Sequence, residues 1–331
     1  MSEAEPVTSR AGRPALLVWE QRAALVAFIA ALPAAVVAAN DVRAGVALTL
    51  GVLPAAVIGV DPVRRRRTRL LAAGLLLGVP MMAGSLLARV PVLAVLGLFL
   101  LPVLAVRATA IPRFTALAGL TTTTLLPMIG IGLSYPDLGT AAGLTGLFVL
   151  GSVLAWLPAL LIPERPEVER PEPRPIARTY GYLLGAVAAL TAGLGFALHL
   201  DHIGWACAAA LMVMRPDPQL QRWRTAGRFS SVLAGCAGAA ALVALDAPPL
   251  LYAIVLPLSL AAAAATAASR FYLLPAFTTF YVITLLGYPD PGAAQSRVLE
   301  RLGETALGLA VAATIGILLP ALFARRPGLT V

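Results

Sequence analysis

The chain has 331 residues, of which 59% are hydrophobic and 12% are charged, and its formal net charge is +9. An ordinary soluble domain carries about 25% charged residues, so this composition excludes that class. The positive charge would favour nucleic acid as a partner of a soluble protein. Here the arginines lie between long apolar runs, where orientation in a membrane explains them and no nucleic-acid partner is expected.

The polar segment 1–16 lacks the compact apolar core of a signal peptide, so we predict a cytoplasmic tail followed by a retained first helix. A spanning helix needs about 20 mostly apolar residues. By this criterion the chain is an all-α polytopic membrane protein with about twelve transmembrane helices, predicted at 17–39, 43–60, 68–88, 91–107, 112–133, 140–162, 180–199, 203–215, 226–245, 249–268, 271–287 and 298–322.

The stretch "GVDPVRRRRTRLL" at 59–71 places Arg64 to Arg67 between two apolar runs. With the N-terminus inside, almost every arginine falls on the cytoplasmic side, which is the bias that orients membrane proteins. We therefore expect these four arginines to meet anionic lipid head groups, with attraction of anions to a pore mouth as the alternative. The exceptions on the outer side are Arg43, Arg89, Arg297 and Arg301.

The chain also repeats itself. "GLSYPDLG" at 132–139 closes the fifth predicted span, and "LGYPDPGA" at 286–293 closes the eleventh. We predict two parallel six-helix repeats, 17–162 and 180–323, related by an axis along the membrane normal. The proline- and charge-rich segment 163–179 would be a cytoplasmic linker, and 324–331 would be a cytoplasmic tail.

Residues with catalytic chemistry are scarce. No phosphate-binding loop, metal-ligand motif or nucleophile with a base is found, so we expect no enzyme, cofactor or metal. His199, Asp201 and His202 could bind a metal or a proton, but "AAND" in the first half has no histidine, which favours a polar helix end. Cys207 and Cys236 lie in apolar runs and are interpreted as packing residues.

Arg297, Arg301 and Glu304 share one face of the last span. An ionisable group at membrane depth is a functional candidate, and an interfacial ion pair is the alternative. Arg113 and Arg270 open equivalent spans and would place two guanidinium groups at matching sites of the cytoplasmic mouth. The "TTTT" run at 121–124 and "FTTF" at 277–280 would either line a conduit or bond within their own helices.

Three stretches in the second half resemble the FUSC family of fusaric acid resistance and aromatic-acid exporter-like membrane proteins. They are "HIGWACAAALMVMRP", the basic segment that ends at Arg228, and "RLGETALG". Ser231 and Val232 replace the Gly-Thr of the family pattern, while Gly235 is kept. The residues that match the family motifs are His202, Trp205, Arg228, Arg301, Glu304, Thr305 and Gly308.

The resemblance implies an exporter of organic carboxylate anions, aromatic ones among them, driven by the proton gradient or the membrane potential. We expect Arg113, Arg270, Arg228 and Arg301 to bind the anion, and Glu304 and His202 to couple its movement to protons. Both termini would be cytoplasmic in the plasma membrane, with the bilayer and a small anion as partners and a homo-oligomer left open. The alternative is a membrane scaffold or accessory subunit of envelope biogenesis that transports nothing.

Overall fold

A computed structural model describes residues 16–166, 176–269, 271–288, 290, 292 and 294–324. Within these ranges the regular structure is entirely helical. The helices are α1 (Gln21–Ala38), α2 (Val42–Ile58), α3 (Arg69–Ala88), α4 (Pro91–Ala108), α5 (Pro112–Gly132), α6 (Leu138–Ala159), α7 (Arg178–Ala197), α8 (Ile203–Val213), α9 (Pro218–Ala244), α10 (Pro249–Thr266), α11 (Leu274–Gly287) and α12 (Ala294–Ala321).

In the described part of the chain, nine of these helices are long and apolar enough to cross a membrane. The prediction of an all-α polytopic membrane protein is confirmed at this level. The other three, α2, α8 and α11, are apolar but shorter. The shortest, α8, has 11 residues and rises only about 16 Å at 1.5 Å per residue, in keeping with the short predicted span at 203–215. That all twelve helices cross the bilayer stays a prediction.

The helix starts follow from local sequence chemistry. Asp41, Asp137 and Asp217 each accept a hydrogen bond from a first-turn backbone N–H, which satisfies a donor that the helix itself leaves unpaired. Proline occupies the first turn of α4, α5, α9 and α10, where its missing N–H removes no helical hydrogen bond. Aspartate and proline thus divide a nearly continuous apolar sequence into separate helices.

The packing joins the N-terminal and C-terminal parts of the chain. Helix α1 packs on α10 and α4 packs on α7, so each of these contacts links helices that are far apart in sequence. Helix α3 packs on α5 and α6, just as α9 packs on α11 and α12. One apolar cluster includes residues of α1, α2, α9, α10 and α11, and another includes residues of α4, α5, α7, α8 and α12. The core is therefore shared between the two parts.

Glycines allow the closest helix contacts. A Cβ atom at Gly151 of α6 would lie 2.2 Å from the carbonyl oxygen of Gly51 on α2, and one at Gly308 of α12 would lie 2.2 Å from that of Ala206 on α8. A Cβ atom at Gly84 of α3 would meet the Ile129 carbonyl of α5 at 2.0 Å. Larger residues would separate these helices, as expected for membrane helix packing through small residues.

The arginine run needs one correction. Arg67 does not face lipid head groups, because it is only 1% exposed. Its guanidinium donates to the carbonyl oxygens of Asp61 (2.9 Å), Ala159 (2.6 Å) and Ile162 (2.6 Å). Arg67 therefore supplies charged donors to carbonyl oxygens at and just beyond the end of α6, where few donors remain within the helix. The neighbouring Arg65 is exposed.

Candidate anion-binding cavity

A cavity of about 200 Å³ lies where the N-terminal and C-terminal parts of the chain meet. Apart from the Tyr135 side chain, the N-terminal part contributes apolar residues only: Leu50, Leu53, Pro54, Met81, Met128, Ile131, Leu144 and Phe148. The C-terminal part contributes both charged groups of the lining, and its residues are Trp205, Ala208, Met212, Arg228, Tyr272, Leu274, Pro275, Thr278, Val282 and Arg301.

Arg228 reaches the cavity from α9 and is 4% exposed. One guanidinium nitrogen lies 3.3 Å from the sulfur atom of Met212, a weak acceptor. Its Nε has no hydrogen-bond partner among the described residues. Since burial of a charge is costly without a partner, this guanidinium retains unsatisfied capacity to bind an anion.

Arg301 reaches the same cavity from α12 and is 6% exposed. Its Cζ lies 4.5 Å from the centre of the Trp205 ring, within the range of a cation–π interaction. A terminal nitrogen donates to Thr279 Oγ1 at 3.5 Å, and Nε has no partner in the described part of the chain. Neither Arg228 nor Arg301 forms an ion pair with a carboxylate of the described residues. The cavity therefore contains excess positive charge.

A chain of ionisable groups lies beside Arg301 and comprises Asp201, His202, Arg297, Glu300 and Glu304. We call it the outer cluster, after the side of the membrane on which the sequence predicts it to lie. Glu300 contacts His202 Nδ1 through Oε1 and Arg297 through Oε2, the latter at 3.0 Å. Arg297 also lies 3.6 Å from the Asp201 carboxylate. Glu304 Oε1 accepts a hydrogen bond from the His202 backbone N–H at 3.3 Å, while Oε2 has no partner among the described residues.

His202 and Trp205 connect the outer cluster to the cavity. Their rings stack with centroids 4.0 Å apart and an interplanar angle of 11°. Because Arg301 lies over the same indole, Trp205 fixes both the imidazole and the guanidinium. The one-turn spacing between positions 202 and 205 produces this stack at the start of α8.

Potential ligand atoms of His202, Glu300 and Glu304 lie within 4.8 Å of one another, which is close enough to hold a metal ion. However, both Glu300 oxygens already have partners, and Arg297 and Arg301 flank the group. The arrangement therefore favours proton exchange between neighbouring side chains over binding of a divalent cation.

Tyr135 closes the cavity from the connection between α5 and α6. Burial raises the pKa of its phenol, an effect that the positive charge of Arg301 opposes. The phenol therefore stays neutral at physiological pH and can donate a hydrogen bond to a bound anion. Two residues on, hydrogen bonds from Thr140 lower the pKa of Asp137 and keep this N-cap ionised.

The structure gathers most of the sequence-predicted site residues in one place. Arg228, Arg301 and Trp205 line the cavity, and His202 and Glu304 adjoin it. Thr305 is fully buried on α12 and Gly308 packs on α8. Arg113 is exposed, with its guanidinium 4.7 Å from the Phe114 ring, and does not line the cavity. Arg270 lies outside the described residues.

The two threonine runs differ. The hydroxyls of Thr121 and Thr123 donate to their own helix at 2.9 Å, within a π-helical turn at Thr121–Leu125. This favours the alternative of bonding within the helix. In the second run the Thr278 hydroxyl also donates within its own helix, to the Pro275 carbonyl at 3.2 Å, but Thr278 lines the cavity and Thr279 contacts Arg301.

Sequence reasoning missed Glu300, Tyr135 and Tyr272 as neighbours of the site. Glu300 lies three residues after Arg297 and four before Glu304, so helical spacing alone could have placed it with them. Tyr135 was interpreted only as part of the repeated "YPD" sequence. No signal in the sequence identifies Tyr272, whose place depends on the packing of α9 on the segment before α11.

These observations define an integral, multi-pass helical membrane protein with a central cationic cavity. Residues 188–315 match the family model described as Fusaric acid resistance protein-like, which confirms the resemblance inferred from the motifs. The match covers less than half of the chain, and it contains every motif residue from His202 to Gly308. No curated protein and no solved structure was found to match the chain.

Proposed function

We propose that the protein is a membrane transporter that exports small organic carboxylate anions with an apolar or aromatic body. One observation carries the proposal: two buried guanidinium groups, which no carboxylate of the described residues pairs, face an apolar wall across one cavity. A family of exporter-like membrane proteins and a set of apolar helices support the same class of function.

The chemistry of the cavity defines the substrate class. Guanidinium groups match the planar carboxylate through paired hydrogen bonds, and the opposite wall accepts a hydrocarbon or an aromatic ring. The volume of about 200 Å³ lies below the roughly 300–1,000 Å³ typical of sites for drug-sized ligands. Single-ring or short-chain acids are therefore preferred over larger ones.

Two parallel six-helix repeats account for transport through this cavity. Equivalent pairs of helices make equivalent contacts: α1 on α10 as α7 on α4, and α2 on α11 as α8 on α5. The close contacts at Gly84 and Gly235, and those at Gly151 and Gly308, also lie on corresponding helix pairs. Rocking of one repeat against the other would open the cavity to each side in turn, with the substrate at the interface of the repeats.

Protonation of Glu304 provides coupling. Glu304 is one helical turn from Arg301, and when ionised it offsets the positive charge that attracts the substrate. Protonation removes this competition, so proton binding and anion binding favour each other, and by linkage the effect is reciprocal. Anion affinity should rise as the pH falls. When Glu304 takes up and releases its proton on the same side of the membrane, only the charge of the anion crosses, and the inside-negative potential drives the anion outward.

The orientation belongs to the same proposal. We place the protein in the plasma membrane with both termini in the cytoplasm, because the arginines at the loop ends are concentrated on one side. The outer cluster would then face the external solution. Arg113 and Arg270 would contribute at the cytoplasmic mouth.

Purified protein in liposomes tests the function directly. We expect concentrative uptake of labelled benzoate when an anion gradient or a potential is imposed, with weaker uptake of acetate and none of a neutral aromatic amide. Glu304→Gln should transport benzoate with high affinity at all pH values. Protein-containing liposomes that pass benzoate no faster than empty ones would leave the scaffold alternative in place.

A further inference from the structure

The outer cluster forms a graded path from solvent to the cavity. Side-chain exposure falls from 73% at Asp201 and 36% at Arg297 to 18% at Glu300 and 16% at His202, and Glu304 is only 4% exposed. Neighbouring members contact each other along this order. The gradient connects an exposed end to the one carboxylate oxygen, Glu304 Oε2, that is buried without a partner among the described residues.

The groups on this path are chemically suited to carry protons. Carboxylates and imidazoles accept and release protons, and chains of them mark proton relays in membrane proteins. Glu300 Oε1 contacts His202 Nδ1 directly. The side-chain atoms of His202, Glu300 and Glu304 lie within 4.8 Å of one another, a gap that one bridging water or a small side-chain rotation closes.

We infer that Glu300 is the outer entry point of the proton path and that His202 passes the proton to Glu304. A proton from the external solution binds the Glu300 carboxylate, moves to the His202 imidazole, and is then bound by Glu304, whose negative charge is lost. The inference rests on the proposed function, because it assigns the route by which that coupling group exchanges protons. It adds Glu300, which lies outside the family motif, to the coupling residues.

The charges around Glu304 favour entry from this side. Glu300 and Arg301 lie on its own helix, and Asp201 and His202 lie on the connection between α7 and α8. Glu300 and Asp201 attract protons toward the outer end, and Arg297, which lies near both carboxylates, offsets part of their charge. Arg228 and Arg301 at the cavity repel protons, and no described carboxylate forms an ion pair with either guanidinium. The cavity side is therefore the less favourable approach for a proton while the substrate is absent.

The experiment measures how fast protons are taken up when the anion binds. Purified protein in detergent is mixed with benzoate in a weakly buffered solution containing a pH-sensitive dye, and proton uptake is followed by stopped flow. Glu300→Gln keeps the size of the side chain, and His202→Phe keeps the stack on Trp205. We expect both variants to bind benzoate within about 3-fold of wild type and to take up protons at least 10-fold more slowly.

Asp246→Asn serves as the matched control, since Asp246 is an exposed carboxylate in the connection between α9 and α10, outside the outer cluster. It should leave the rate unchanged. If Glu300→Gln shifts the pH midpoint but keeps the wild-type rate, Glu300 only tunes the local charge and the route is wrong. If a chelator abolishes proton uptake and Zn²⁺ restores it, the cluster is a metal site and the route is also wrong.

Failure of the function itself gives a different result. A wild-type protein that neither binds nor transports benzoate overturns the proposed function. Normal benzoate transport with wild-type proton-uptake rates in both variants overturns only the route.

Discussion

The two walls of the cavity differ in chemistry, although helices that correspond to each other in the proposed repeats form them. The wall from α2, α3, α5 and α6 is apolar apart from Tyr135, whereas the wall from α8, α9, α11 and α12 carries Arg228 and Arg301. Under the repeat proposal, one unit supplies the surface for the apolar body of a substrate and the other supplies its anion-binding groups. A carboxylate would then enter the cavity in one orientation, with its charge toward α9 and α12.

The ends of the same helices that the arginine distribution predicts to be cytoplasmic show the opposite distribution of charge. In the first half the buried Arg67 donates to carbonyl oxygens at the end of α6. In the second half the uncharged Gln221, fully buried at the start of α9, donates to the Ala312 carbonyl of α12 at 2.8 Å. In each half, one buried side chain near the start of the third helix thus donates hydrogen bonds at the sixth. The buried Arg67 of the first half has a structural role, whereas the buried Arg228 and Arg301 of the second half face the cavity.

The largest expected effect is the loss of benzoate binding when the two cavity arginines are replaced. Arg228→Gln and Arg301→Gln should each weaken benzoate binding about 10–150-fold, because a hydrogen bond to a charged group contributes about 1.5–3 kcal/mol. The double variant should bind no benzoate in the millimolar range. Isothermal titration calorimetry on purified protein measures these affinities.

Arg43→Gln is the control for this test, because Arg43 is an exposed arginine at the start of α2 and does not line the cavity. It should bind benzoate like the wild type. Unchanged binding in the double variant would contradict the difference between the two walls, and would move attention to Arg113 and Arg270 at the predicted cytoplasmic mouth.

The second effect concerns stability. Arg67→Gln should lower the free energy of unfolding by about 2–4 kcal/mol, because it leaves several buried carbonyl oxygens without a donor. Arg65 lies two positions before Arg67 in the same run and is exposed. Arg65→Gln should therefore change the free energy of unfolding by less than about 0.5 kcal/mol. Denaturant titration of the purified protein in detergent measures both. Equal stability of the two variants would return Arg67 to the surface role that the sequence predicted.

The amino-acid sequence predicts the helices and the motif residues well, because both depend on local patterns. Apolar runs fix most helix ends to within about four residues, and the spacing of Arg301 and Glu304 places them on one helical face. Helix α9 is the exception: it begins at Pro218, eight residues before the predicted span at 226–245, because the basic segment after the Asp217 cap is also helical. The burial of Arg67 could not be predicted, since an arginine within a charged run is indistinguishable from its neighbours until α6 packs beside it. The contrast between the cavity walls likewise depends on contacts between distant helices.

The smallest expected effect tests the apolar wall. Leu144, on α6, lines the cavity and is partly buried, so Leu144→Ala removes apolar contact with the body of the substrate. Loss of one to three buried methylene-sized groups, at about 0.8 kcal/mol each, should weaken benzoate binding roughly 4- to 50-fold and leave acetate binding unchanged, since acetate is too small to reach this wall from the arginines. Leu150→Ala, at a 48% exposed position of the same helix, should affect neither acid. Competition of each unlabelled acid against labelled benzoate measures the affinities of each variant for acetate and for benzoate. An equal loss of affinity for acetate and benzoate in Leu144→Ala would mean that α6 shapes the cavity as a whole and does not contact the ring. The apolar wall would then not be the surface that binds the body of the substrate, which would contradict the proposed difference between the two walls.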